Sequence, residues 1–214
     1  MKKNIYFVRH GETDCNSQNL IQGRGIDAPL NSKGHLQADA FYQHYKNVPF
    51  SKIYTSTLQR THQSMAPFIQ SGIPHQILAG FDEMNFGEME GKSMFDANGN
   101  FTLEWLLSKW REGDTEAKAP GGESPKEVLQ RILEALKEVI SHESEENVII
   151  CMHGRALRVI VSHLLGKTMA NMEHIFHHNL SLSLFEYDYS SGIYTPIRLA
   201  DHSHLKEVGK APAK

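Results

Sequence analysis

Several side chains in this sequence have the types and local settings that phosphoryl transfer would need. Arg9 and His10 follow directly on the apolar run Ile5 to Val8, and His153 with Gly154 follows the apolar run Val148 to Met152. Short apolar runs of this kind read as buried strands, and in a mostly parallel sheet ligands gather outside the strand carboxyl ends. One histidine after a strand is ordinarily a satisfied loop residue. Two of them, with an arginine beside the first, can meet over one crevice, where a neutral imidazole is a competent nucleophile near pH 7. Arg60 lies in the first turn of an expected helix, just after the run Lys52 to Thr55 and the polar Ser56 and Thr57. Its guanidinium fork suits phosphate oxygens, and a helix N-terminus adds unpaired amide donors. Asp82 and Glu83 come after a third run, Gln76 to Ala79, and can supply a general acid.

The elements that must position these groups alternate. Helices are expected at Lys33 to Tyr45, Leu58 to Gln70, Leu103 to Trp110, and Arg155 to Leu165 closed by Gly166. A further helix starts at Ser124, where Ser124 and Glu127 stand in capping-box spacing and Pro125 takes the first helical position. Val128, Leu129, Ile132, Leu133, Leu136, Val139 and Ile140 then recur on one face. Strands alternating with helices predict an α/β fold around a mostly parallel sheet. The end differs: Leu180 to Tyr187 and Ile193 to Leu199, joined through Ser190, Ser191 and Gly192, read as a hairpin at a sheet edge. The stretch after Asp201 reads as frayed, and the lysine-rich tail from Lys206 as dispensable.

At 214 residues and 40% hydrophobic content, one domain spanning 1–214 can bury its own core. A formal charge of -3, with Lys and Arg scattered, provides no basic field for nucleic acid, so any anion site must be local. No stretch reads as a signal peptide or a membrane span. Cys15 and Cys151, without CxxC spacing, fit a reducing cytoplasm better than a disulfide scaffold, and near the site in sequence they also pose the question of oxidative inhibition. Among the 13 histidines, His174, His177 and His178 are densest, yet no paired Asp or Cys ligands accompany them. A polar loop is the favoured reading there, and no metal or other cofactor is expected. No Walker glycine loop is present.

The blocks RHGETDCN, DAPLNSKGHLQA, STLQR, EMNFGEMEG and HGRALR occur in that order over nearly the whole chain. Together they closely resemble the histidine phosphatase superfamily, also called the phosphoglycerate mutase-like family. The resemblance implies a three-layer α/β/α sandwich with a small helical lid insert at roughly 84–122. It also implies that His10 is the phosphorylated histidine, that Arg9, Arg60, His153 and Asn16 bind phosphate, and that Glu83 is the proton donor. With Gln22, Gly23, Gly154 and Arg155 these residues are expected to enclose the substrate and its phosphate. His153, protonated with phosphate bound, would add a further donor, and the cation set would make a metal unnecessary. Thr61 and Ser64 stand where the family often has alanine and threonine. Arg155 replaces a common second glycine, so it either caps the next helix or adds a cation for an anionic substrate. The family's mutases have a longer insert with an adjacent arginine pair, where this chain has only Arg111 after Trp110. That difference points to a phosphatase acting on a small phosphorylated metabolite. The rival readings are a cofactor-dependent phosphoglycerate mutase and a catalytically idle phospho-ligand or protein-binding module, against which the intact acid Glu83 speaks. The assembly is left open, a homodimer included.

Overall fold

The computed structural model describes residues 1–206 and 208. Its centre is a six-stranded sheet in the order β3-β2-β4-β1-β5-β6. The strands are β1 (Lys2–Arg9), β2 (Lys52–Thr55), β3 (His75–Ile77), β4 (Asn147–Met152), β5 (Leu182–Asp188) and β6 (Ile193–Asp201). The first four are parallel, whereas β5 pairs antiparallel with β1 and β6 antiparallel with β5, completing the expected edge hairpin.

Side-chain alternation divides the core into two layers. Ile5, Phe7, Val148, Ile150 and Met152 face the helices α5 (Pro125–Ser141) and α6 (Gly154–Leu164). Val8, Ile53, Ile149 and Cys151 face α2 (Ser32–Tyr45) and α3 (Gln59–Gln70). This is the three-layer sandwich of the sequence reading. The β4 residues Val148 to Met152 are all fully buried because both faces are covered, which is why that strand reads as an unbroken apolar run. In α5 the capping box forms as expected, with Glu127 N donating to Ser124 Oγ and Ser124 N to Glu127 Oε2. Its buried stripe, Val128, Ile132, Leu136 and Val139, contributes about 1.5–3 kcal/mol per side chain.

The structure moves several boundaries. β3 spans His75 to Ile77 rather than Gln76 to Ala79, because the short β2 offers partners only through Thr55 and the chain then coils into a 3-10 turn at Ala79–Phe81. The third helix begins at Gln59, with Leu58 as its N-cap, and the sixth at Gly154, with His153 as its N-cap. The stretch after Asp201 does not fray at once: a 3-10 turn at Ser203–Leu205 brings His204 onto Phe41 and Tyr45, and its Nε2 meets the Leu180 carbonyl at 2.9 Å. The dispensable tail expected from Lys206 lies mostly outside the described residues. Among the described residues, no helix is long and apolar enough to cross a membrane.

Candidate active site

Strand register builds the centre of the site. β1 and β4 are neighbours with Arg9 opposite Met152, so the next residue on each strand, His10 and His153, emerges on the same crevice. Their ring centroids are 5.1 Å apart. The loop after His10 presses on the start of α2 so closely that a Cβ on Gly34 would fall 2.1 Å from the Glu12 carbonyl oxygen. α1 (Asp14–Ser17) then returns the chain toward the site, capped by Thr13.

His10 Nδ1 lies 2.7 Å from the Gly11 carbonyl, which can only accept, so Nδ1 carries the proton and Nε2 keeps its lone pair. Burial, with Arg60 and Arg9 adding to it, holds the imidazole pKa well below the ordinary histidine range. The ring is therefore neutral at pH 7. Nε2 can act as a nucleophile, and the Gly11 carbonyl can stabilise positive charge that grows on the ring.

His153 is tied to Arg60. Arg60 Nε donates to its Nδ1 at 3.1 Å, so Nε2 carries the proton and donates to Ser56 Oγ at 2.8 Å. Complete burial and the surrounding cations hold its pKa far below the usual range, which makes a protonated His153 unfavourable. In this neutral state it orients Arg60. Arg60, also fully buried, spends further N–H groups on the Ile26 carbonyl at 2.7 Å and the Gly23 carbonyl at 3.3 Å. Neither Arg60 nor His153 lines the open cavity; both lie under its floor. Gly23 likewise supports Arg60 through its carbonyl instead of facing the cavity. Ser64 ties α3 to the loop after β1, since its hydroxyl accepts from Gly11 N at 2.8 Å and donates to the Arg60 carbonyl at 2.6 Å.

Two donors beside His10 are left over. Arg9 donates from Nη1 to the His177 carbonyl at 2.7 Å, but its buried Nε has no partner among the described residues. Burial lowers the Arg9 pKa only to about 10, so it stays charged at neutral pH. Gln22 Oε1 accepts from Thr13 Oγ1 at 2.8 Å and Asn16 Nδ2 at 3.4 Å, and its buried Nε2 has no partner among the described residues. A buried donor without an acceptor costs about 1–3 kcal/mol, a penalty that an anion on the cavity floor would relieve. Gly154 fits this arrangement, because a Cβ there would fall 3.2 Å from Arg9 Nε.

Glu83 is held at the N-terminus of α6. Its Oε1 accepts from Met84 N at 2.8 Å and Ala156 N at 2.9 Å, and Oε2 accepts from Arg155 N at 3.0 Å. Asp82 turns away and accepts from the amide and hydroxyl of Thr57, both at 2.8 Å. Arg131 of α5 fixes this whole turn: Nη1 donates to the Gly80 and Asp82 carbonyls at 2.9 and 2.8 Å, and Nη2 to that of Glu83 at 2.9 Å. Glu123 pairs with Arg131 at 3.1 Å.

Above the floor opens a cavity of about 550 Å³, lined by Arg9, His10, Asn16, Gln22, Glu83, Gly154 and Arg155 at its polar end. The segment 84–122 supplies Phe86, Met94, Phe95, Phe101 and Leu107, the last from α4 (Glu104–Arg111), which ends one residue later than expected. Trp110 is buried and donates to the Ala117 carbonyl at 2.8 Å, packing that segment internally. Sequence reasoning missed Asn179, whose Nδ2 donates to the His10 carbonyl at 3.0 Å and to Asn16 Oδ1 at 3.1 Å. It also missed Arg131, Arg158 and Glu173. Of the histidine cluster, His177 is buried against Ser183 at 3.3 Å, and among the described residues no group of three His, Cys, Asp or Glu side chains could hold a metal ion. Burial raises the pKa of both Cys15 and Cys151, so neither is an activated thiolate.

Residues 5–195 match the histidine phosphatase superfamily (branch 1), and the chain belongs to that family. Among curated proteins, a probable phosphoglycerate mutase GpmB of Cronobacter sakazakii is 31% identical over 192 residues, 87% of this chain and 86% of its own length. Among solved structures, Bacillus stearothermophilus YhfR superposes with a TM-score of 0.82 at 26% identity, over 95% of this chain and 100% of its own. A phosphoserine phosphatase of Entamoeba histolytica shares the fold with a TM-score of 0.81 at 23% identity, over 95% of this chain and 99% of its own.

Proposed function

We propose that this chain is a metal-independent phosphomonoester hydrolase of the histidine acid type, acting in the cytoplasm on a small phosphorylated metabolite through a phosphohistidine on His10. The observation that carries the reading is the state of His10: neutral, its proton committed to the Gly11 carbonyl and its Nε2 free, beside the unpartnered donors Arg9 Nε and Gln22 Nε2. Phosphate oxygens would take those donors, with Arg60 beneath adding positive charge. Positioning and electrostatics make up most of phosphoryl-transfer catalysis. His10 Nε2 attacks phosphorus as the ester P–O bond breaks, and Glu83 delivers a proton to the leaving oxygen. As the carboxylate, Glu83 then takes a proton from the water that attacks the phosphohistidine, which releases phosphate and restores His10.

The relatives named as probable phosphoglycerate mutases support a second reading, the cofactor-dependent mutase with the same first half-reaction. The apolar lid side chains favour hydrolysis of a less polar ester. The deciding experiment follows phosphate release from p-nitrophenyl phosphate in excess EDTA, and separately 2-phosphoglycerate formation from 3-phosphoglycerate. Chelator-resistant release without comparable isomerisation is expected. Activity lost to EDTA and restored by a divalent metal would refute the cation set. Interconversion dependent on a 2,3-bisphosphoglycerate primer would establish the mutase.

A further inference from the structure

Beyond the phosphate end, the cavity wall carries a second charged group that neutralises itself in part. Arg155 and Arg158 stand at i and i+3 on α6, so both leave one face of the helix, and both line the cavity together with Glu173. Glu173 belongs to the 3-10 helix Met169–His174. One of its carboxylate oxygens accepts from Arg155 and the other from Arg158. The side chains of Arg155, Arg158 and Glu173 are only 10%, 15% and 25% exposed. Aromatic rings fix the two guanidinium groups, Arg155 lying 5.4 Å from the Trp110 ring centroid and Arg158 5.4 Å from that of Phe176.

Two arginines held side by side in a substrate cavity are the donors that a second anionic group of a substrate would use. Here the chain brings its own carboxylate to them. We propose that Glu173 is a specificity-determining residue: as an internal counter-anion on the Arg155–Arg158 pair it disfavours phosphomonoesters that carry a second anionic group. The site is thereby left to esters whose remainder is uncharged. A substrate carboxylate must displace Glu173 or lie within a few ångströms of it, and an unfavourable like-charge contact is an effective way to reject a competitor. The rest of the wall agrees, since Phe86, Met94, Phe101 and Leu107 offer a carboxylate nothing and an apolar alcohol a matching surface. The inference rests on the phosphomonoesterase reading and narrows it.

The test compares kcat/KM for 3-phosphoglycerate with kcat/KM for p-nitrophenyl phosphate in the wild type, Glu173→Gln and Glu173→Ala at low ionic strength. In both variants the ratio should rise at least about tenfold, equivalent to about 1.4 kcal/mol, carried by a lower KM for 3-phosphoglycerate. The gain should shrink as salt is added. It should shrink when Glu173→Gln is combined with Arg158→Gln, which leaves one of the two guanidinium groups. An unmoved ratio, or a gain undiminished by the second substitution, overturns the proposal. A merely structural tie would depress both substrates equally and leave the ratio where it was, which also counts against it. If the wild type turns over neither ester, the phosphomonoesterase reading fails, and calorimetric titration with 3-phosphoglycerate then decides the Glu173 assignment. Binding tightened about tenfold by Glu173→Gln supports it, and unchanged binding refutes it.

Discussion

Replacing Glu83 by glutamine should separate two losses that the structure allows to be sized independently. The first is positional. Glu83 accepts three backbone N–H bonds, two at Oε1 and one at Oε2. A glutamine can keep the pair at one oxygen, but its amide group then faces Arg155 N donor to donor. Losing that bond and the attraction of the charge for the α6 N-terminus costs about 1–3 kcal/mol. That loss is shared by every substrate. The second loss is chemical, the proton given to the leaving oxygen, typically worth about 10²- to 10⁴-fold. It vanishes for p-nitrophenyl phosphate, whose nitrophenolate leaves unaided. The ratio of kcat/KM for an alkyl ester with an uncharged remainder, such as a phosphorylated sugar, to that for p-nitrophenyl phosphate cancels the first loss and should fall at least about 10²-fold in Glu83→Gln. Asp82→Asn is the internal control. Its Oδ1 can go on accepting from the amide and hydroxyl of Thr57, so a change of less than about 1 kcal/mol, equal for both esters, is expected. An equal loss for the two esters in Glu83→Gln, or a larger effect at Asp82, would refute the assignment of the acid.

Arg131→Met removes the clamp on the Gly80, Asp82 and Glu83 carbonyls and leaves Glu123 without this partner, so it should destabilise the fold by about 2–4 kcal/mol in chemical denaturation. It should also lower kcat more than it raises KM, most for alkyl esters; a normal kcat with a displaced denaturation midpoint would make Arg131 purely structural. His10, His153 and His177 are buried with pKa values held down by burial, that of His177 to about 3. Below pH 6.5 the unfolded chain takes up protons that the folded chain refuses, so stability falls with pH, by up to about 1.4 kcal/mol per unit for each histidine. Denaturation midpoints at pH 7.5 and 5.5 should differ accordingly, with a shallower dependence in His177→Asn, and equal midpoints would contradict the buried neutral histidines.

The order of the elements and the type of each catalytic candidate were legible because they rest on local signals. The box at Ser124 and Glu127, the unbroken run before His153 and the turn before β6 each declare themselves within a few residues. Which strand ends meet was not legible from spacing alone, since His10 and His153 are brought together by the β1–β4 register, a pairing across most of the chain. The neutral state of His153 was not legible for a related reason: it is set by Arg60 Nε and Ser56, contacts with no sequence signal. Arg131 with Glu123 looks in sequence like an ordinary solvated pair. Glu173 sits in a histidine-rich loop without periodicity, and nothing local connects it to two arginines one helix earlier. Gly23 was expected to enclose the substrate and its phosphate, yet its carbonyl turns toward Arg60.

Trapping the phosphoenzyme identifies the atom that takes the phosphoryl group. Substrate is mixed with the protein, quenched in alkali and digested, and the phosphopeptide is analysed by mass spectrometry and phosphorus NMR. Because the Gly11 carbonyl commits the Nδ1 proton, the phosphoryl group should be found on Nε2 of His10, acid-labile and base-stable, and should be absent from His10→Ala together with turnover. A label on His153, on Nδ1 of His10, or on an acid-stable ester would take the nucleophile's role away from Nε2 of His10.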